Sequence, residues 1–302
     1  MPSTFTLHEL TGGVWMAEAH GTASVARSNA ALIDLGDCTI VVDTFMTARA
    51  AEELASESTR LTGRAPFLVL NTHWHSDHTG GNRVFQDAGI VGTSVMRDLI
   101  AEDAPSSRAE FEEKASDIRN FAADVAANAR SDEDRSKAVG LTELGEALTA
   151  DEHGHRVVLP NLLIGDRLDL EGERRATILG FGKGHTESDL FLHLPDDDIV
   201  IAGDLVWRGV HPKTTDGFPT PWAESLEKMA KLGASRVVPG HGPPGTAEDI
   251  GKISAYMREL AALVDEVRSG GASAADVDVP TGSEEWRDPA RFTAGLSDLI
   301  GR

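Results

Sequence analysis

The chain has 302 residues, enough to bury a sizeable core as one large domain or two small ones. Its 49 Asp+Glu outweigh 28 Lys+Arg, and a net charge of −21 repels phosphate backbones and anionic lipid, which disfavours nucleic-acid and membrane partners. One cysteine excludes an intrachain disulfide, and aromatics at 5% leave the core to aliphatic side chains.

The N-terminal residues 1–5 show no basic leader followed by an apolar stretch, and no run approaches the roughly 18 apolar residues of a membrane span, so a soluble cytoplasmic protein is expected. Residues 5–10, 14–18, 29–35 and 39–43 are short, β-rich runs. They are separated by Gly12-Gly13 and Gly36-Asp37, the turn signals of an antiparallel meander. Cys38 heads the apolar run 38–42 and reads as a buried structural thiol. A helix is expected over residues 47–61, with Ala51, Leu54, Ala55 and Leu61 on one face. Residues 67–70, an apolar run between Pro66 and Asn71, read as a buried strand; residues 79–86 predict a short helix and 90–92 another strand.

Between residues 95 and 151 alanine and acidic residues take over, and strand signals stop. Phe111, Ala115, Ile118, Ala122, Val125 and Ala129 recur at helical spacing, and a second helix is expected over 134–148. The length of this stretch predicts a helical cap, residues 95–151, inserted into a single domain spanning 1–302. Strands resume at 163–164, 167–170, 176–179, 190–194, 199–202 and 236–238, with a helix over 222–231. Thr246 and Asp249 fit a capping box at the start of a long final helix, whose stripe is Ile250, Ile253, Met257, Leu260, Val264 and Val267. The tail after Gly270 is mixed in character, and no element is placed on it.

The chemistry gathers at the exit of the strand 67–70. His73, His75, Asp77 and His78 fall within six residues, which hold three of the chain's 11 histidines. Neutral imidazole and carboxylate suit zinc and similar divalent ions, and packing does not need them at this density. Three later segments each follow an apolar strand and carry glycine beside the polar residue: Gly184-His185, Gly203-Asp204 and Gly240-His241. Glycine there lets backbone and side chains crowd around an ion. The reading is a metal site assembled from strand ends.

His73-x-His75-x-Asp77-His78 followed in order by His185, Asp204 and His241 resembles the metallo-β-lactamase superfamily, over about residues 5–268. The resemblance implies an α/β (α+β) fold, the four-layer αββα sandwich, here with a helical insertion. It implies two metal ions, usually zinc, with iron or manganese as other ions such donors accept. One would be held by His73, His75 and His185, the other by Asp77, His78 and His241, with Asp204 bridging. Asp43, at the end of its strand, matches an acidic position that steadies the ligands. The implied chemistry is attack on an acyl bond by hydroxide from a water acidified between two cations, with Asp77 and Asp204 as the catalytic carboxylates.

Departures narrow the comparison. True β-lactamases commonly have Cys or Ser where this chain has Asp204, and some carry Lys three residues later; here that position is Trp207. Quorum-signal lactonases place Tyr there. The donor set looks like glyoxalase II, so the leading expectation is a dinuclear zinc hydrolase of a small ester, thioester, lactone or amide. The alternatives are a mono-iron persulfide dioxygenase-like enzyme, which would hold one iron, and a β-lactamase. A nuclease is disfavoured by the acidic charge and lack of a basic stripe. A metal-free binding protein would need lost ligands, and none is missing. His8, His20, His153, His155 and His193 lie outside the constellation and read as surface or strand residues; His211 stands nearer to it in sequence. Trp74, between two ligands, is expected to pack against or line a pocket wall, and Lys183, Arg208 and Lys213 are the few nearby cations.

Overall fold

The four runs expected at the N-terminus do form an antiparallel meander: β1 (Phe5–Thr11), β2 (Val14–Ala19), β3 (Ala30–Asp34) and β4 (Thr39–Val42). They belong to a computed structural model that describes residues 3–274 and 276–302. The chain divides into two compact units, residues 1–164 and 165–302.

In the first unit the sheet continues in parallel through β5 (Leu68–Leu70), β6 (Gly89–Gly92) and β7 (Leu162–Leu163), giving the order β1 to β7 in sequence. A parallel step from β4 to β5 needs a crossover, and helix α1 (Ala48–Thr62) supplies it. Thr47 caps its N-terminus by accepting from the Ala50 N–H at 3.3 Å. Ala51 and Leu54 of α1 pack with Leu32, Val41, Val69 and Ile90 of the strands in one core. The expected strand over 67–70 begins one residue later, because Phe67 is 62% exposed while residues 68–70 are buried. Cys38 is half-buried rather than buried: it lies in the turn before β4, where partial burial beside Asp37 raises its thiol pKa.

Three helices, not two, fill the stretch between β6 and β7: α3 (Ser94–Asp103), α4 (Arg108–Asn128) and α5 (Asp132–Ala150). Ser131 and Asp134 form a capping box at the start of α5. Ala115, Leu144 and Leu148 make a small core of their own, joined by Phe111, Ile118 and Met46. The expected helix over 79–86 is instead one turn, α2 (Ser76–Thr79), and a 3-10 turn over Asn82–Phe85.

The second unit holds a six-stranded sheet in the order β13-β12-β11-β10-β9-β8. Its strands are β8 (Arg167–Leu170), β9 (Ala176–Leu179), β10 (Phe191–Leu194), β11 (Ile199–Trp207), β12 (Arg236–His241) and β13 (Gly245–Thr246). Only β11 and β12 pair in parallel, and α6 (Pro219–Ala230) is their crossover. Two expected strands were drawn too short: β11 and β12 run on through Asp204 and to His241, so these donors sit within strands and not after them. Helix α7 (Ala247–Arg268) buries Ile250, Ile253, Met257, Leu260 and Val264, but Val267 is not in the buried stripe. The last helix is α8 (Ala290–Gly301), which packs Phe292, Leu296 and Leu299 into the same core. Among the described residues there are thus two sheets and eight helices, the mixed α/β class that the resemblance implies.

Candidate metal centre

In the first unit the donors hang on the loop between β5 and the 3-10 turn. Its two ends are tied by a reciprocal amide pair: Asn71 Nδ2 donates to Asn82 Oδ1 at 3.0 Å, and Asn82 Nδ2 to Asn71 Oδ1 at 2.9 Å. Asn82 also reaches the Val158 carbonyl at 3.0 Å, and Thr44 N–H donates to the His78 carbonyl at 2.9 Å. Gly80 and Gly81 run against the backbone after β4, where a Cβ would stand 2.3 Å from Met46 O and 2.1 Å from Thr44 O. Those are backbone atoms, which cannot swing aside. Gly81→Ala is therefore expected to cost roughly 1–3 kcal/mol, read as a thermal midpoint several degrees lower. A melt superimposable on wild type would show that the loop has room to move.

Asp43 follows β4 with φ +60°, a left-handed conformation that strains a side-chain-bearing residue. Its carboxylate accepts from Thr72 N–H and Thr72 Oγ1, both at 2.8 Å, and Oδ2 lies 2.7 Å from His78 Nδ1. Burial pushes the Asp43 carboxyl above its ordinary range, and the charge and hydrogen bond of His78 pull it back. A neutral His78 that donates Nδ1–H to this carboxylate keeps its lone pair on Nε2. His73 Nδ1 lies 3.0 Å from Thr72 Oγ1, whose one hydrogen goes to Asp43, and its Nε2 faces His75 Nδ1 at 3.0 Å. Asp77 stands in the single turn α2, its donor oxygen within 4.8 Å of a His78 ring nitrogen. Arg27 Nε approaches Asp77 Oδ2 to 3.9 Å, a neighbour that the sequence reading missed.

The second unit gathers its three donors around one carboxylate. Asp204, buried in β11, sets Oδ2 at 3.2 Å from His185 Nε2 and Oδ1 at 3.3 Å from His241 Nε2. Gly240 makes this approach possible, since a Cβ there would stand 1.9 Å from Asp204 Oδ1. His185 packs edge-on against Trp222 at 5.1 Å, and Trp207 stacks on His241 at 3.9 Å with the Arg291 guanidinium 5.2 Å above the indole. Asp189 was also missed. It accepts from Thr186 N–H and, at 2.7 Å, from Thr186 Oγ1, fixing the turn that carries His185. Burial, with Asp204 nearby, raises its carboxyl to about 7.

The first unit holds His73, His75, Asp77 and His78 close together, and the second His185, Asp204 and His241. All are buried except Asp77, which is half-buried. The remaining candidates are used otherwise. His8 meets Glu18 at 2.7 Å and His20 meets Thr6 at 3.2 Å, across the β1/β2 ladder. His211 gives Nδ1 to the Tyr256 hydroxyl at 3.1 Å and packs among Trp286 and Phe292. Arg208 pairs with Asp249 at 3.4 Å, Lys213 with Asp216 at 3.1 Å, and Lys183 lies over the Phe218 ring at 4.2 Å. Trp74 lines a cavity, as expected.

Comparison with known proteins identifies the family. The family model of the metallo-β-lactamase superfamily matches residues 24–241. The chain is 23% identical over 250 residues to a type 2 metallo-β-lactamase of Bacillus sp. (strain 170), covering 80% of this chain and 78% of that protein. It is 24% identical over 282 residues to an acyl-coenzyme A thioesterase of Bos taurus, covering 85% and 88%. Among solved structures, a metallo-β-lactamase of Pseudomonas aeruginosa in its mono-zinc form superposes with a TM-score of 0.61 at 17% identity, covering 85% of this chain and 96% of that one.

Proposed function

The chain belongs to the metallo-β-lactamase superfamily of hydrolases, and from that premise we propose that it is a zinc hydrolase cleaving the acyl bond of a small ester, thioester, lactone or amide. The observation that carries this reading is the Asp204 carboxylate, which turns one oxygen to His185 and the other to His241. A carboxylate so flanked suits a bridge between two ions. His73, His75 and His185 would hold one ion, Asp77, His78 and His241 the other, and Asp204 both. The donors fit: imidazole nitrogens and carboxylates suit zinc, and Asp43 sets the His78 tautomer that leaves Nε2 able to ligate. When bound, such ions polarise an acyl oxygen and acidify water at neutral pH.

The chain's own part is to orient and to move protons. Asp77 is the half-buried carboxylate of the set, placed to take a proton from water and return one to the leaving group. The bovine relative's acyl-coenzyme A thioesterase activity supports an acyl substrate, and the mono-zinc neighbour supports zinc. β-Lactams rank lower. Three residues after Asp204 stands Trp207, stacked on His241, and Arg208 and Lys213 are paired with carboxylates. A charge-assisted grip on a substrate carboxylate, worth roughly 1.5–3 kcal/mol, has no ready donor among these residues. The charge of −21 supports a small-molecule substrate rather than nucleic acid or a membrane surface. No helix of the described residues is long and apolar enough to cross a membrane.

Elemental analysis of the purified protein is expected to give two zinc ions per chain. In a panel of thioesters, lactones, a penicillin and a carbapenem, kcat/KM should be highest for a thioester or lactone. A single iron per chain would transfer the protein to the persulfide dioxygenases. Turnover of any β-lactam at about 10⁵ M⁻¹s⁻¹ would overturn the substrate assignment.

A further inference from the structure

The helices between β6 and β7 do not close fully onto the histidine loop. Between them lies a cavity of about 110 Å³, several times the roughly 10–15 Å³ that one water occupies. Its walls are apolar: Met46 and Trp74 on the loop side, Ile100, Phe111, Ile118 and Leu148 on the helices. Asp103, Lys114 and Asp151 also line it. Asp151 is bound by Arg83, and Lys114 Nζ donates to the Asp103 carbonyl at 3.2 Å. The apolar walls offer a charged head no replacement for its hydration, so the cavity suits an uncharged, aliphatic occupant.

Its position gives the occupant a meaning. Trp74 lies between His73 and His75, with its ring 4.4 Å from that of His75, and Thr79, next to His78, also lines the cavity. Trp74 further keeps a buried indole N–H with no acceptor among the described residues. An apolar wall with one unused donor, one residue from two metal donors, is arranged for a chain that ends in a polar acyl group. We propose that this cavity binds the unbranched aliphatic chain of the acyl substrate, so that the chain prefers medium-length acyl thioesters or esters over acetyl ones. This rests on the acyl-hydrolase reading above.

The test joins rate and binding. Along acetyl, butyryl, hexanoyl and octanoyl thioesters of one thiol, kcat/KM is expected to rise about two- to fourfold per methylene until the cavity is full. Ala104 lines the cavity and is none of the metal donors. Ala104→Phe should lower octanoyl turnover tenfold or more and leave acetyl turnover unchanged, while Ile118→Ala should move the optimum to a longer chain. Calorimetry should show 1-octanol, but not ethanol, binding wild type with a negative heat-capacity change, and binding Ala104→Phe more weakly. Octanol binding without cleavage of any acyl compound would keep the cavity assignment and reject the hydrolase. A flat chain-length series, a rising one that neither variant alters, or absence of octanol binding would overturn the cavity assignment.

Discussion

Asp204→Ala is expected to lower kcat/KM on the best acyl substrate by on the order of 10³, with the fold intact. The magnitude follows from losing a carboxylate that would hold two cations, which contribute several kcal/mol of charge stabilisation, at about 1.36 kcal/mol per decade of rate. The fold should survive because β11 is bound on both sides by backbone ladders with β10 and β12, which do not use the side chain. Gly240→Ala provides a second, independent route to the same loss. Its Cβ would meet Asp204 Oδ1 at 1.9 Å, and Asp204 N and Gly203 C at 2.8 Å, so it displaces the carboxylate and the β11 backbone that carries it without removing a donor atom. Both variants should bind less metal than wild type, and Asp204→Ala should do so with unchanged far-ultraviolet circular dichroism. An Asp204→Ala enzyme within threefold of wild-type kcat/KM at equal metal occupancy would remove Asp204 from the site.

The same strand shows what the sequence could and could not tell. Gly203-Asp204 after an apolar run looks like a strand end, yet β11 continues to Trp207 with every residue buried. Gly203, at φ +54°, lies where the β11/β12 register shifts, so the strand bends at the ligand without ending. Propensity sees a glycine as a stop; only the neighbouring strand decides whether pairing resumes. The donors themselves were legible because their chemistry is dense and local. Asp43 was legible as well, through the resemblance. Asp189 was not: its signal is a carboxylate bonding back to Thr186, which in sequence is one more polar residue in a Thr-Glu-Ser-Asp turn. Helix α3 buries only Met96 and Ile100, too few for a periodic stripe. Helix α8, in contrast, carried a readable signal in Phe292, Leu296 and Leu299, at i, i+4 and i+7, just after Pro289.

Asp43→Asn should separate orientation of a ligand from ligation itself. Asparagine tolerates the left-handed backbone at this position and matches aspartate in size, so the loop should fold with a melt close to wild type. The hydrogen bonds, however, no longer balance. Asp43 accepts from three groups: Thr72 N–H, Thr72 Oγ1 and His78 Nδ1. An amide keeps one accepting oxygen and turns the other position into a donor. If its oxygen stays on Thr72 N–H, the new NH₂ faces His78 Nδ1 and drives the imidazole proton to Nε2, the nitrogen needed for the ion. If the amide flips, two donors collide at Thr72, buried away from water. Losing a partner of this kind typically costs 10–100-fold in metal affinity or activity. Zinc titration of Asp43→Asn is expected to show one site weakened by that factor and the other weakened less, because Asp43 meets His78 directly and reaches His73 through Thr72 Oγ1. Nitrogen chemical shifts of the metal-free protein should report His78 protonated on Nδ1 in wild type and on Nε2 in the variant. Unchanged shifts together with two full-strength zinc sites would mean that Asp43 holds the loop in place and has no influence on the metal ligand.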